Sequence, residues 1–88
     1  MKERTYIIGR KGQIQLHDKT TSAEHAELKI VNNQFYLTDL DSTNGTYLME
    51  NGRRTRFTEG YVEMNQTLVF GNRECSVREL VARAELEG

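Results

Sequence analysis

The stretch HAELKIVNNQFYLTDL, residues 25–40, decides the fold class of this chain. Ala26, Leu28 and Ile30 alternate with charged residues, which is the pattern of a strand with one buried face and one exposed face. The sequence NNQ then has the composition of a turn, and the FYLTDL that follows is rich in β-favouring residues. The stretch therefore predicts an antiparallel hairpin.

Short segments of the same kind lie on both sides of this hairpin. Asn51-Gly52, one of the strongest short signals for a hairpin turn, separates two of them. Proline is absent, and glycines end several of the segments. Many short strands with turns between them predict an all-β sandwich or barrel. The predicted strands cover residues 5–8, 13–16, 25–31, 35–40, 46–49, 53–57, 67–70 and 74–77.

The end of the chain has a different pattern. Leu80, Val81 and Ala84 recur at helical spacing, and residues 78–87 are rich in the good helix formers Arg, Glu, Leu and Ala. We predict a short C-terminal helix here, or a frayed end. The expected organisation is one β-sandwich domain over residues 1–78, followed by a helical or frayed tail over residues 79–88.

Composition argues against several classes of protein. The 88 residues suit one domain with a thin core, and a net charge of −1 is unlike that of chains that coat nucleic acid. No apolar run approaches the roughly 18 residues that a membrane span requires, so no membrane insertion is expected. The lone Cys75 cannot form an internal disulfide. It suits a reducing compartment, so we expect a cytoplasmic protein in which this thiol fills space in the core.

Patterns typical of catalytic and metal sites are missing from the sequence. There is no Cys-x-x-Cys pair, the only histidines are His17 and His25, and no phosphate-binding P-loop occurs. No two carboxylates stand out as an acid–base pair. We therefore expect that the chain is not an enzyme and binds neither a metal nor a cofactor.

Polar residues are concentrated in three turns, GRKG at residues 9–12, DKTTSAEH at residues 18–25 and DLDSTNGT at residues 39–46. Arginine, hydroxyl groups, an amide and free backbone N–H groups are the donors that a phosphate group requires. Loops held by a rigid sandwich can converge on one ligand. The three turns therefore predict an anion site at one rim of the sandwich.

The same turns carry a resemblance to a known family. Gly9-Arg10, Ser22-x-x-His25 and Asp39-Leu40-x-Ser42-Thr43-Asn44-Gly45-Thr46 resemble, in order and spacing, the signature of the forkhead-associated (FHA) domain. The resemblance implies an eleven-stranded β-sandwich of two twisted, mostly antiparallel sheets with ligand loops at one end. It also implies a preference for phosphothreonine peptides, so the expected function is recognition of phosphothreonine on a partner protein in signalling or regulated assembly.

The resemblance assigns the phosphopeptide contacts to four residues. Arg10 is similar to the arginine that pairs with the phosphate, and Ser22 to the serine that donates its hydroxyl group to the same phosphate. Thr43 matches a position that lines the pocket, and Asn44 matches the asparagine that bonds the main chain of the ligand.

Other residues of the three turns are expected to support these contacts. The resemblance implies loop architecture for one set: Gly9, His25, Asp39, Ser42 and Gly45. One departure is Ala23, which stands where the family often has a polar residue and cannot contact phosphate through its side chain. The residues that could compensate are Lys11, Lys19, Thr20 and Thr21.

Two other functions are compatible with the sequence. Ala23 is compatible with a protein interaction or self-association domain that no longer depends on phosphorylation. A small barrel for single-stranded nucleic acid would use the basic cluster Arg53, Arg54 and Arg56, but the net charge of −1 disfavours it. That cluster is either a solvated hairpin or a secondary contact to an acidic or doubly phosphorylated partner. The expected partner is a phosphothreonine-containing protein, and the chain is expected to be part of a larger protein or complex.

Overall fold

The computed structural model describes residues 3–87 and contains a two-sheet β-sandwich with one C-terminal helix. The all-β sandwich class is therefore confirmed, as is the C-terminal helix. The elements are β1 (Glu3–Gly9), β2 (Ile14–Gln15), β3 (Ala26–Val31), β4 (Gln34–Asp39), β5 (Thr46–Glu50), β6 (Arg53–Arg56), β7 (Glu59–Val62), β8 (Thr67–Phe70), β9 (Arg73–Ser76) and α1 (Val77–Glu87).

The first sheet has the strand order β2-β1-β3-β4-β7, with β3 and β4 forming the predicted hairpin. In its register Ala26 lies opposite Asp39 and Leu28 opposite Leu37. The turn is tight because Asn32 and Asn33 both adopt positive φ angles, 53° and 62°, which asparagine tolerates better than most residues. The end of β4 and the start of β3 therefore lie together at the same rim.

The second sheet has the strand order β6-β5-β8-β9. Leu48 pairs with Leu68, and Leu68 pairs with Cys75, so these side chains share the face that packs on the core. The Asn51-Gly52 turn joins β5 to β6 as predicted. The two sheets enclose the core between their facing apolar rows.

Helix α1 belongs to the same core. Val77, Leu80, Val81 and Ala84 are buried because they share one face of the helix. Cys75 is 2% exposed, and burial together with the nearby Glu79 carboxylate raises the pKa of its thiol to about 12. Among residues 3–87, no helix has the length and apolar character of a membrane-spanning segment.

Three sequence predictions need correction or restriction. The eleven strands implied by the resemblance are wrong for residues 3–87, which form nine. Residues 16–25 form turns between β2 and β3, and β9 runs directly into α1, so neither segment adds a strand. Strand β7 was not predicted, because Gly60 weakens its β signal and only Val62 is buried. Residues 1, 2 and 88 of the expected domain limits lie outside the described residues.

Candidate functional site

The first two polar turns are joined by backbone hydrogen bonds at the end of β1. Arg10 N–H donates to the Ser22 carbonyl at 3.1 Å, and Lys11 N–H donates to the Ala23 carbonyl at 3.0 Å. Gly9 permits this approach, because a Cβ atom there would lie 2.3 Å from the Ala23 carbonyl oxygen. The backbone of Ala23 therefore holds the first turn, although its side chain adds no polar contact.

The third turn is bonded to the second through side chains. Thr43 N–H donates to Ser22 Oγ at 3.0 Å. The Asn44 side-chain amide donates to the Thr20 carbonyl at 3.0 Å. Ser22, Thr43 and Asn44, three of the four residues expected to contact the ligand, are thus brought together, and Arg10 is tied to the same place by its backbone.

His25 lies beneath these turns with no exposed surface. Its Nδ1 accepts from Ser22 N–H at 2.9 Å, and its Nε2 lies 2.9 Å from the Gly45 carbonyl. A backbone N–H facing Nδ1 requires an unprotonated nitrogen there, so the ring is neutral and donates through Nε2–H. Burial lowers the pKa of His25, and the Gly45 carbonyl and the Asp39 carboxylate only partly oppose this effect.

Asp39 organises the third turn from within. Its Oδ1 accepts from the Ser42 hydroxyl at 2.6 Å and from the Thr46 hydroxyl at 2.7 Å, while Oδ2 accepts from Ser42 N–H at 3.1 Å. The Ser42 hydroxyl in turn accepts from Gly45 N–H at 3.0 Å. Burial alone would raise the pKa of Asp39, but these hydrogen bonds outweigh it and lower the pKa.

Two donors at the rim remain directed to solvent. Arg10 is exposed and uses its inner Nε–H to donate to the Thr21 carbonyl at 2.6 Å. Within residues 3–87 no partner takes its two terminal amino groups. Ser22 Oγ accepts from Thr43, which leaves its own hydroxyl hydrogen for a ligand. A fixed positive charge beside a held hydroxyl group is an arrangement that binds an anion.

The four auxiliary candidates occupy different positions. Lys11 and Lys19 are exposed. Thr20 donates its hydroxyl group to Asp18 and also accepts from a backbone N–H, so its side chain is held within the turn. Thr21 is 1% exposed, and its hydroxyl group donates inward to the Phe70 carbonyl at 2.9 Å.

Sequence reasoning missed the support that Gly71 and Asn72 give to these turns. Gly71 N–H donates to the Gly45 carbonyl at 2.9 Å. A Cβ atom on Gly71 would lie 2.2 Å from the Thr20 carbonyl oxygen, and its φ is +71°. Asn72 N–H donates to the Thr20 hydroxyl at 2.8 Å. A glycine ending a strand is visible in the sequence, but nothing local indicates which loop it contacts.

Comparison with protein families agrees with this geometry. The family model of the FHA domain matches residues 6–71, which include all three turns and their supporting strands. This chain belongs to the FHA domain family. FHA domains are protein interaction modules.

Several solved FHA domains are similar to this one. One comes from a structural and functional analysis of phosphothreonine-dependent FHA domain interactions; it has 29% identity and a TM-score of 0.72, over 84% of this chain and 75% of that one. The FhaA FHA domain complexed with the intracellular domain of Rv3910 has 30% identity and a TM-score of 0.68, over 84% and 79%. The FHA domain of CT664 from Chlamydia trachomatis has 31% identity and a TM-score of 0.68, over 81% and 71%. No curated protein sequence matches this FHA domain.

Proposed function

We propose that this FHA domain binds a phosphothreonine-containing segment of a partner protein through Arg10, Ser22, Thr43 and Asn44. The observation that carries the proposal is the convergence of the Arg10 guanidinium and the Ser22 hydroxyl at the rim of three hydrogen-bonded turns. The similarity to an FHA domain with phosphothreonine-dependent interactions supports it.

The donors at this rim fit the chemistry of a phosphate group. A phosphothreonine carries about −1.5 to −2 charges at neutral pH and three acceptor oxygens. The terminal amino groups of Arg10 supply a permanent charge with two parallel donors, and Ser22 supplies a third donor. Unmodified threonine has no charge to pair with Arg10, so binding depends on phosphorylation of the partner.

The remaining contacts orient the peptide. Asn44 uses one amide hydrogen on the Thr20 carbonyl, which leaves its other amide hydrogen and its carbonyl oxygen for a peptide main chain. Thr43 donates its backbone N–H to the Ser22 hydroxyl oxygen, and we expect its side chain to line the phosphothreonine site. Burial of the threonine methyl group is worth only about 0.8 kcal/mol, so preference over phosphoserine is modest.

The test is calorimetric titration with a phosphothreonine peptide selected from a degenerate library, together with its phosphoserine and unphosphorylated forms. Arg10→Ala removes charge-assisted hydrogen bonds to the phosphate, so it should weaken peptide binding by about tenfold to a hundredfold. Arg78→Ala, which removes an exposed arginine on α1, is the matched control and should bind like the wild type.

Two outcomes would contradict the proposal. Unchanged affinity of Arg10→Ala would show that the phosphate lies elsewhere. Equal affinity before and after phosphatase treatment would instead support the alternative, a phosphorylation-independent interaction or self-association domain.

We further propose that this module works in the cytoplasm, in signalling or regulated assembly, as part of a larger protein or complex. The free, buried thiol of Cys75 supports a reducing compartment. Fractionation of cells that express the full-length protein, with detection of the domain, tests the location.

A further inference from the structure

An aromatic ring with two guanidinium groups lies beside the third turn. The Cζ atoms of Arg54 and Arg56 are each 5.8 Å from the centre of the Tyr47 ring. We call Tyr47, Arg54 and Arg56 the Tyr47 cluster. At this distance each guanidinium is weakly attracted to the ring, which favours the conformations in which both arginines lie on Tyr47.

Strand pairing creates the cluster. In the β5–β6 hairpin Tyr47 lies opposite Arg56, and Met49 lies opposite Arg54. Side chains two positions apart on a strand share a face, so Arg54 and Arg56 project together on the face of Tyr47. Arg53 is on the same strand but on the opposite face.

The cluster is continuous with the proposed phosphothreonine site. The Tyr47 hydroxyl donates to the Asn44 carbonyl at 3.1 Å. A Cβ atom on Gly45 would lie 3.1 Å from Arg56 Cζ and 3.1 Å from the Tyr47 hydroxyl oxygen. Arg54 donates to the Asn72 side chain at 3.1 Å, on the loop that supports Thr20. The two guanidinium groups therefore border the turns that carry Thr43 and Asn44.

The charges of the cluster are not neutralised by the domain itself. Within residues 3–87 the one ion pair joins Lys29 to Glu3, the neutral His25 lies 3.9 Å from Asp39, and no carboxylate pairs with Arg54 or Arg56. Both arginines are exposed. Two neighbouring guanidinium groups without a carboxylate partner attract an anion from outside the domain, and their planar donors suit a carboxylate or a phosphate.

Protection of the sheet edge does not account for this arrangement. Exposed charge on an edge strand is enough to discourage pairing with another chain. Arg53 supplies such charge without contacting the ring. Edge protection does not require Arg54 and Arg56 to lie on the same ring, next to the loop that carries Asn44.

We propose that the Tyr47 cluster binds a second anionic side chain, a carboxylate or a phosphate, on the same peptide that places its phosphothreonine at Arg10 and Ser22. This proposal rests on the proposed function. Residues 43–45 are the route between the two sites, and consecutive Cα atoms are about 3.8 Å apart. Two such steps span at most about 8 Å, which an extended peptide covers in about two to three residues, so with the reach of the side chains the anion is expected within about six residues of the phosphothreonine.

The experiment measures fluorescence anisotropy of phosphothreonine peptides at one fixed ionic strength. The reference peptide has neutral flanking residues, and each other peptide carries one Asp or one phosphoserine at a position within about six residues of the phosphothreonine. The wild type should bind the best acidic peptide about tenfold more tightly than the neutral one. The Asp and phosphoserine arms distinguish a carboxylate from a second phosphate.

The double variant Arg54→Gln/Arg56→Gln tests the cluster, and Arg53→Gln is the matched control from the opposite face. The double variant should lose the preference for the acidic peptide while binding the neutral peptide within about twofold of the wild type. Arg53→Gln should keep the preference. Thermal unfolding by circular dichroism confirms that each variant is folded.

The outcomes separate this inference from the proposed function. Equal binding of acidic and neutral phosphopeptides by the wild type would overturn the inference and leave the function intact. The inference would also be wrong if the double variant kept the preference, or if Arg53→Gln lost as much of it as the double variant. Unchanged binding of the neutral phosphopeptide by Arg10→Ala would overturn the proposed function instead.

Discussion

Replacement of His25 by alanine should destabilise the domain and weaken its ligand site together. The change leaves the Ser22 N–H without the acceptor that it meets at 2.9 Å, and the Gly45 carbonyl loses one of its two donors but keeps the Gly71 N–H at 2.9 Å. The unsatisfied Ser22 N–H costs about 1–3 kcal/mol, and the hydrogen bond lost at Gly45 adds about 0.5–1.5 kcal/mol. A small cavity next to the Phe70 ring, whose centre is 5.5 Å from that of His25, adds to the loss.

This loss is large for a domain of this size. A chain of 88 residues has a free energy of unfolding of about 4–13 kcal/mol. Urea unfolding followed by circular dichroism measures the change directly, and phosphopeptide affinity at low temperature measures the effect on the site. The affinity should fall because Ser22 and the turn that ends at Gly45 are no longer joined through the buried ring.

Two conservative variants separate the two hydrogen bonds. His25→Asn places an amide oxygen where Nδ1 accepts from Ser22, and His25→Gln places an amide nitrogen where Nε2 donates to Gly45. Each should recover part of the stability. Glu24→Ala, at an exposed neighbouring position, is the control and should change stability by no more than about 0.5 kcal/mol. A loss below about 1 kcal/mol for His25→Ala, with unchanged affinity, would refute the reasoning.

Three further predictions concern a glycine, a pH dependence and the thiol. Gly71→Ala should lower the free energy of unfolding in urea more than Gly52→Ala does. Both glycines have positive φ angles (+71° and +77°), but only at Gly71 would the added Cβ atom clash, 2.2 Å from the Thr20 carbonyl oxygen. Equal losses for the two variants would contradict the clash. Burial lowers the pKa of His25 from 6.5, so the contribution of this residue to the free energy of unfolding should be fully present above pH 6.5. This free energy should decrease as the pH falls through the lowered pKa, and His25→Gln should remove the decrease. The Cys75 thiol, whose pKa is about 12, should react with a disulfide reagent far more slowly in the native state than in urea, and rapid native labelling would disprove its burial.

Local patterns predicted most of the fold. The hairpin of β3 and β4 and the turn at Asn51-Gly52 were predicted because alternation and turn composition depend on neighbouring residues. Helix α1 was predicted from helical spacing, for the same reason. Strand β7 was missed because its pairing with β4 supplies the regularity that its own residues lack. The strand number came from the family resemblance and not from this chain, and it was wrong for residues 3–87.

For the candidate site, the sequence indicated the residue types and the three turns but not their mutual bonds. The structure joins Arg10, Ser22, Thr43 and Asn44 at one rim, and the contact of each with a ligand stays a prediction. The inward direction of the Thr21 hydroxyl group could not be predicted, because its acceptor is 49 residues away.

By itself, the sequence determined the β class, the terminal helix and the presence of an arginine, hydroxyl groups and an asparagine in three turns. Each of these follows from residues that are close along the chain, through alternation, turn preference and helical spacing. Only the tertiary structure decided that Gly71 supports the Thr20 turn, that the His25 ring is neutral and that Arg54 and Arg56 share the Tyr47 ring. These features arise where separate turns and strands meet, and no local pattern specifies which partners meet there.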